Sequence, residues 1–92
     1  MYTRNTKVIN PNGLHARPAG IFVEAARKFQ SDITICNVTT NNPKPANAKM
    51  ILRVLTQGMC SGHEVQLCAE GPDEQEAVDS LIALIESGCG EK

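Results

Sequence analysis

The chain has 92 residues, a length that suits one compact domain, and its 41% hydrophobic and 21% charged content is that of an ordinary globular protein, which excludes disorder as the working state. Nine Lys and Arg against ten Asp and Glu give a formal charge of −1, so the electrostatics provide no reason to expect nucleic acid or an anionic membrane as partner. No stretch approaches the roughly 18 apolar residues needed to cross a bilayer, and Met1-Tyr2-Thr3-Arg4-Asn5 opens without an apolar leader, so a cytoplasmic protein without membrane insertion is expected.

Taken in chain order, residues 2–9 read as a strand of weak alternation, stopped by the turn composition Asn10-Pro11-Asn12-Gly13. Over 16–29 a 100° step places Ala19, Phe22, Val23, Ala26 and Phe29 on one side and Arg17, Glu24 and Lys28 opposite, an amphipathic helix in which Ile21 falls on the charged side. Glu24, Arg27 and Lys28 read as a solvated face able to steer a partner. Ile33 and Ile35 alternate with polar neighbours over 32–38, which predicts a half-buried strand returning after the turn at 39–42. Pro43 and Pro45 confine that returning strand to a sheet edge, where missing N–H groups face solvent. Residues 48–57 predict a short helix whose apolar arc of Met50, Val54, Ile51, Leu55 and Leu52 is wider than one core can cover.

Val65, Leu67 and Ala69 alternate over 64–69, and Gly71-Pro72 separates that strand from a last helix. Asp73, Glu74 and Glu76 suit the positive end of its dipole, Ala77, Val78, Leu81, Ile82 and Ile85 recur at core spacing, and Ser87-Gly88 ends it. The order βαββαβα predicts an α+β open-faced sandwich: one domain over 1–92, with a four-stranded antiparallel sheet and three helices packed on one face. Cys36, Cys60, Cys68 and Cys89 contain no Cys-x-x-Cys and have no paired histidines nearby, so mostly buried thiols are expected instead of disulfides or zinc, with Cys89 in a mobile tail open to reaction. His63, at a turn without charged partners, reads as solvated.

The informative segment is Asn10-Pro11-Asn12-Gly13-Leu14-His15-Ala16-Arg17-Pro18-Ala19, because it places a histidine at the start of a helix. Helix N-termini leave backbone N–H groups unpaired, so the amides of Ala16 and Arg17 can bind an anion arriving at the imidazole, while Pro18 has no N–H to leave unused. The positive end of the helix dipole disfavours imidazolium and is expected to keep His15 neutral and nucleophilic. Arg17 is a permanent cation two residues on, with a planar fork suited to phosphate oxygens. Phosphoryl acceptance on His15, with Arg17 neutralising charge during in-line transfer, follows from that grouping.

This segment resembles the active-site motif of the HPr family, the histidine-containing phosphocarriers of the bacterial sugar phosphotransferase system. Ala46-Asn47-Ala48-Lys49, Ala69-Glu70-Gly71, chain length and element order extend the resemblance over nearly the whole chain. It implies phosphorylation of His15 on Nδ1 by enzyme I, transfer to A-type enzyme II domains, and a third strand at the sheet edge. It also implies partner docking through the first helix and the short second helix, for which Gly20, Ile21, Ile51, Leu52 and Leu55 are the candidates. Asn47 and Lys49 are read as turn and surface residues. A monomeric carrier with no cofactor, no metal and no turnover of its own is expected.

Two departures stand out. Met50 occupies the place where many Gram-positive members carry a regulatory serine, so that switch has no hydroxyl here, and 37–45 is a few residues longer than usual. Met50 and the tail Leu81 to Gly88 lean toward a nitrogen-related sibling whose relay ends in regulatory phosphoacceptors. A module that only binds regulators on the same fold need not keep His15 and Arg17 together, and a hydrolytic or metal enzyme lacks its second base or ligand cluster.

Overall fold

A computed structural model describes residues 1–11 and 13–89. It contains β1 (Tyr2–Lys7), α1 (Ala16–Ala26), β2 (Asp32–Asn37), β3 (Ala46–Asn47), α2 (Ile51–Leu55), β4 (Glu64–Glu70) and α3 (Glu74–Glu86), the expected βαββαβα order. The sheet runs β1-β4-β2-β3 with every neighbouring pair antiparallel. Period-two alternation sets its register: Ile33 pairs with Ala69 and Ile35 with Leu67, so all four side chains enter the core together. A one-residue slip would turn that whole row to solvent. Against this face pack Phe22, Val23 and Ala26 of α1, Val54 of α2, and Ala77, Val78, Leu81, Ile82 and Ile85 of α3.

Several boundaries differ from the sequence expectation, each for a local reason. The first helix ends three residues early, because Lys28 and Phe29 donate to Ala25 and Ala26 at i−3 in a tightened last turn. The third strand is a two-residue edge, and Pro43 and Pro45 precede it instead of lying within it. The chain leaves β2 there because the Asn37 carboxamide oxygen accepts the Thr39 N–H, and it rejoins the ladder only at Ala46. The short helix covers 51–55 alone, and its arc is indeed wider than the core: Val54 is buried, Ile51 and Leu55 are half-buried, and Leu52 is 73% exposed.

Cys89 corrects the expectation of a mobile, reactive tail, since it is fully buried in the core. After α3 the chain turns back through Gly88, whose N–H donates to the Ile85 carbonyl while the Cys89 N–H donates to Leu84, the two bonds of a Schellman closure that carries residue 89 inward. Of the other thiols, Cys36 is buried, and that burial pushes its ionisation upward; Cys68 is half-buried and Cys60 exposed. Asp73 also does more than complement the α3 dipole. Its carboxylate accepts the Gln30 and Ser31 N–H groups at 2.9 Å each and the Ser31 hydroxyl, joining the end of the first helical segment to the start of the last.

The loop between β1 and α1 positions everything that follows. Val8 is buried and hydrogen-bonded in both directions to 62–63, and the Asn10 carboxamide donates to the Gly88 carbonyl at 2.7 Å. Gly13 turns with φ +75° and lies so close to the next loop that a Cβ would sit 2.1 Å from the Met59 carbonyl oxygen and 2.8 Å from Cys60 Cα. Leu14, fully buried, then donates its N–H to that same carbonyl at 2.9 Å. Asn12 and residues 90–92 lie outside the described residues.

Two outcomes are expected. Gly13→Ala combines a left-handed backbone penalty with overpacking and is expected to cost about 2–4 kcal/mol in urea unfolding; Gly58→Ala, where φ is +59° and nothing lies within 4 Å of the added Cβ, is expected to cost only about 1 kcal/mol. Equal losses would show that the Met59 contact is not limiting. The Ser31 hydroxyl and then the Gln30 amide hold Asp73 below its ordinary 3.8. A depressed carboxylate stabilises the fold above that value and loses the contribution as pH falls through the lowered pKa. Asp73→Asn is therefore expected to melt below wild type at pH 7, with the difference shrinking in acid below 3.8. A gap that stays constant from pH 7 to pH 2 would contradict the assignment.

Candidate functional site

Leu14 and Ala19 are buried on either side of the segment that carries His15, so the backbone is anchored before and after it. His15 itself is the N-cap of α1, extended at φ −124° and ψ 161°, and its ring makes no capping hydrogen bond. The cap position has been given to a side chain that does not cap. The ring is half-exposed, and the amides of Ala16 and Arg17, at the first two helical positions, have no carbonyl of their own helix to bond. Arg17 is exposed on the same first turn, and Pro18 is buried behind it. Among the described residues neither the His15 ring nor the Arg17 guanidinium has a hydrogen bond or ion pair. Two amides without a partner in their own helix, an accessible imidazole and a cation unpaired among the described residues therefore share one helix end, an arrangement suited to holding a tetrahedral anion against the ring.

From Arg17 a groove of about 410 Å³ runs along α1 toward α2, lined by Arg17, Gly20, Ile21, Val23, Glu24, Arg27 and Ile51. Three of the five docking candidates, Gly20, Ile21 and Ile51, thus meet beside Arg17. The other two are placed differently: Leu55 is half-buried against the core, and Leu52 is exposed on α2 away from the groove lining. Ile21 packs against the core margin while also lining the groove, which accounts for its position off the main apolar stripe. Arg27 is not simply solvated: its Nε donates to the Lys49 carbonyl at 2.9 Å, while Lys49 Nζ donates to the Phe29 carbonyl at 2.7 Å. These crossed bonds fix the spacing of α1 and α2. The Asn47 carboxamide accepts the Lys49 N–H at 2.9 Å, the turn role expected of it. Met50 is the N-cap of α2, about half exposed, and contributes no cap bond.

Sequence reasoning missed the residues that hold the site from behind. Asn10 was legible only as turn composition, although it joins the loop to the end of α3, 78 residues away in sequence. His63, expected in solvent, is half-buried and hydrogen-bonded. No periodicity or local motif marks either, because their partners are distant or are backbone atoms. Among the described residues no cluster of three His, Cys, Asp or Glu side chains is placed to hold a metal ion, and no helix is long and apolar enough to cross a membrane.

Comparison with known proteins agrees with this geometry. The family model described as "PTS HPr component phosphorylation site" matches residues 2–87. The phosphocarrier protein HPr of Vibrio cholerae is 42% identical over 86 residues, covering 94% of this chain and 96% of that one. A crystal structure of HPr from Thermoanaerobacter tengcongensis superposes with a TM-score of 0.89 at 43% identity, covering 100% of this chain and 99% of the other. An HPr dimer from the same organism superposes with a TM-score of 0.73 at 44% identity, covering 99% of this chain and 100% of that one. With a half-exposed histidine at the head of α1 and a match along almost its entire length, the chain belongs to the HPr family of phosphotransferase-system phosphocarriers.

Proposed function

We propose that residues 1–92 act as one carrier unit in which His15 takes a phosphoryl group from phosphorylated enzyme I and passes it to A-type enzyme II domains during sugar uptake. The observation that carries the reading is the pairing of two groups without partners among the described residues, the imidazole of His15 and the guanidinium of Arg17, at the N-terminal end of one helix. In the transfer the lone pair of His15 Nδ1 attacks phosphorus as the bond to the donor's imidazole breaks. The phosphoryl oxygens then lie against the Ala16 and Arg17 amides and the Arg17 fork. Onward transfer is the reverse displacement, so the protein ends each cycle unchanged and turns over no substrate of its own.

The α1–α2 groove supports the docking half of the proposal. Gly20, Ile21 and Ile51 form its apolar floor next to the phosphorylated residue, and exposed Leu52 extends the apolar surface along α2. Leu55 supports α2 from beneath. A monomeric carrier working in the cytoplasm completes the proposal. With methionine at position 50, serine phosphorylation at the head of α2 is not among its controls.

Incubation with enzyme I and labelled phosphoenolpyruvate is expected to give acid-labile, base-stable label on the wild type and none on His15→Ala. Label persisting in that variant would move the site elsewhere. Arg17→Ala is expected to slow transfer on the order of 10- to 100-fold, with unfolding free energy within about 0.5 kcal/mol of wild type because the side chain is exposed. A comparable loss of stability and activity would make Arg17 a structural residue.

A further inference from the structure

We infer that His63 is a positioning residue for the phosphorylation loop: its Nδ1 holds the backbone at Met59-Cys60 in the place where it receives Gly13 and Leu14, directly ahead of His15. Nδ1 is approached by the Cys60 N–H at 3.2 Å and by the Asn37 carboxamide nitrogen at 3.1 Å. The backbone group can only donate, so Nδ1 accepts and the ring proton belongs on Nε2. The main chain of His63 closes the same turn, donating to the Cys60 carbonyl at 3.0 Å and accepting the Val8 N–H at 3.0 Å. Gly62 N–H completes the clamp on the Val8 carbonyl at 2.7 Å.

One residue before Cys60, the Met59 carbonyl takes the Leu14 N–H at 2.9 Å, and the Met59–Cys60 backbone is what a Cβ on Gly13 would strike. A shift of Cys60 therefore passes to Gly13 and Leu14 through direct contact, with His15 the next residue along. Asn37 provides the fixed reference on the other side of the ring. It is buried, its N–H donates to Gln57 Oε1 at 2.9 Å, its carboxamide donates to the Gln57 carbonyl at 3.2 Å, and Gln57 Nε2 in turn holds the Lys44 carbonyl at 2.8 Å. The 38–45 connection, its anchor Asn37–Gln57 and the floor of the phosphorylation loop thus converge on one imidazole nitrogen.

This role rests on the carrier reading of His15, and it requires the acceptor at the position of Nδ1, not the bulk of the ring. An asparagine at 63 places its carbonyl oxygen where Nδ1 lies, whereas a glutamine carries its carbonyl one bond further out. The test compares His63→Asn and His63→Gln as substrates of enzyme I and follows the hydrogen exchange of the Leu14 amide in each purified variant. His63→Gln is expected to lower kcat about 10-fold with little change in KM, because the docking surface is untouched while the attacking ring is misplaced; its Leu14 amide is expected to exchange at least 10-fold faster than wild type. His63→Asn is expected to stay within about 2-fold of wild type in both measurements, the positional equivalent of Nδ1 being restored. Equal impairment of the two variants, or a Gln variant matching wild type in both readouts, would overturn the inference. If wild type takes no label at all, the carrier reading fails, and the Leu14 exchange rates still decide whether His63 holds the loop.

Discussion

The Met59 carbonyl is the contact on which the site depends. It takes the Leu14 N–H at 2.9 Å and lies where a side chain on residue 13 would have to go. Leu14 is fully buried, so the loop is drawn inward by apolar burial and held there by a backbone bond. The residue after it has no such freedom to turn inward. With Leu14 pointing into the core and α1 beginning at Ala16, the extended backbone of His15 leaves its ring at the surface, at the helix head. The outward placement of the His15 ring is thus a consequence of how its neighbour is buried.

The polar groups of the molecule divide into two populations. Asp79 is held by Arg4 and Tyr2, and both hydrogen bonds keep its carboxyl below the ordinary range; Asp73 is held by Ser31 and Gln30, and Lys49 and Arg27 are spent on carbonyls. His15 and Arg17 have no such partners among the described residues. A carrier must bind its cargo reversibly, and groups already satisfied within the fold would have to break those bonds at every transfer. On the proposed carrier reading, an imidazole and a guanidinium without partners among the described residues can take up a phosphoryl group without first breaking bonds within the fold.

The sheet, the order of elements and the helix faces were legible because each is written in a short-range period. Val65, Leu67 and Ala69 at spacing two, and Ala77, Leu81 and Ile85 at spacing four, specify which side of a strand or helix is buried whatever it packs against. The placement of His15 and Arg17 at a helix head was legible for a related reason, since helix starts are marked by local sequence. What escaped were features that depend on parts of the chain far away. Nothing near Asn10 signals Gly88, nothing near Asp73 signals Ser31, and Cys89, although its turn is closed by local bonds to Leu84 and Ile85, is buried in a core assembled from distant elements. Pro43 and Pro45 were misplaced by a few residues because an edge strand tolerates them, yet so does the loop that leads into it.

The same distinction separates the head of α1 from the structure that supports it. The helix end needs only Gly13, Leu14, His15 and the first turn of α1, provided that something behind it holds the 59–60 backbone still. That supporting task is shared between backbone bonds among Val8, Cys60, Gly62 and His63 and the side chains of Asn37, Gln57 and His63, which link the 38–45 connection to the turn at 60–63. Support built from side chains is more replaceable than support built from backbone, since any residue presenting an acceptor at the right point can serve.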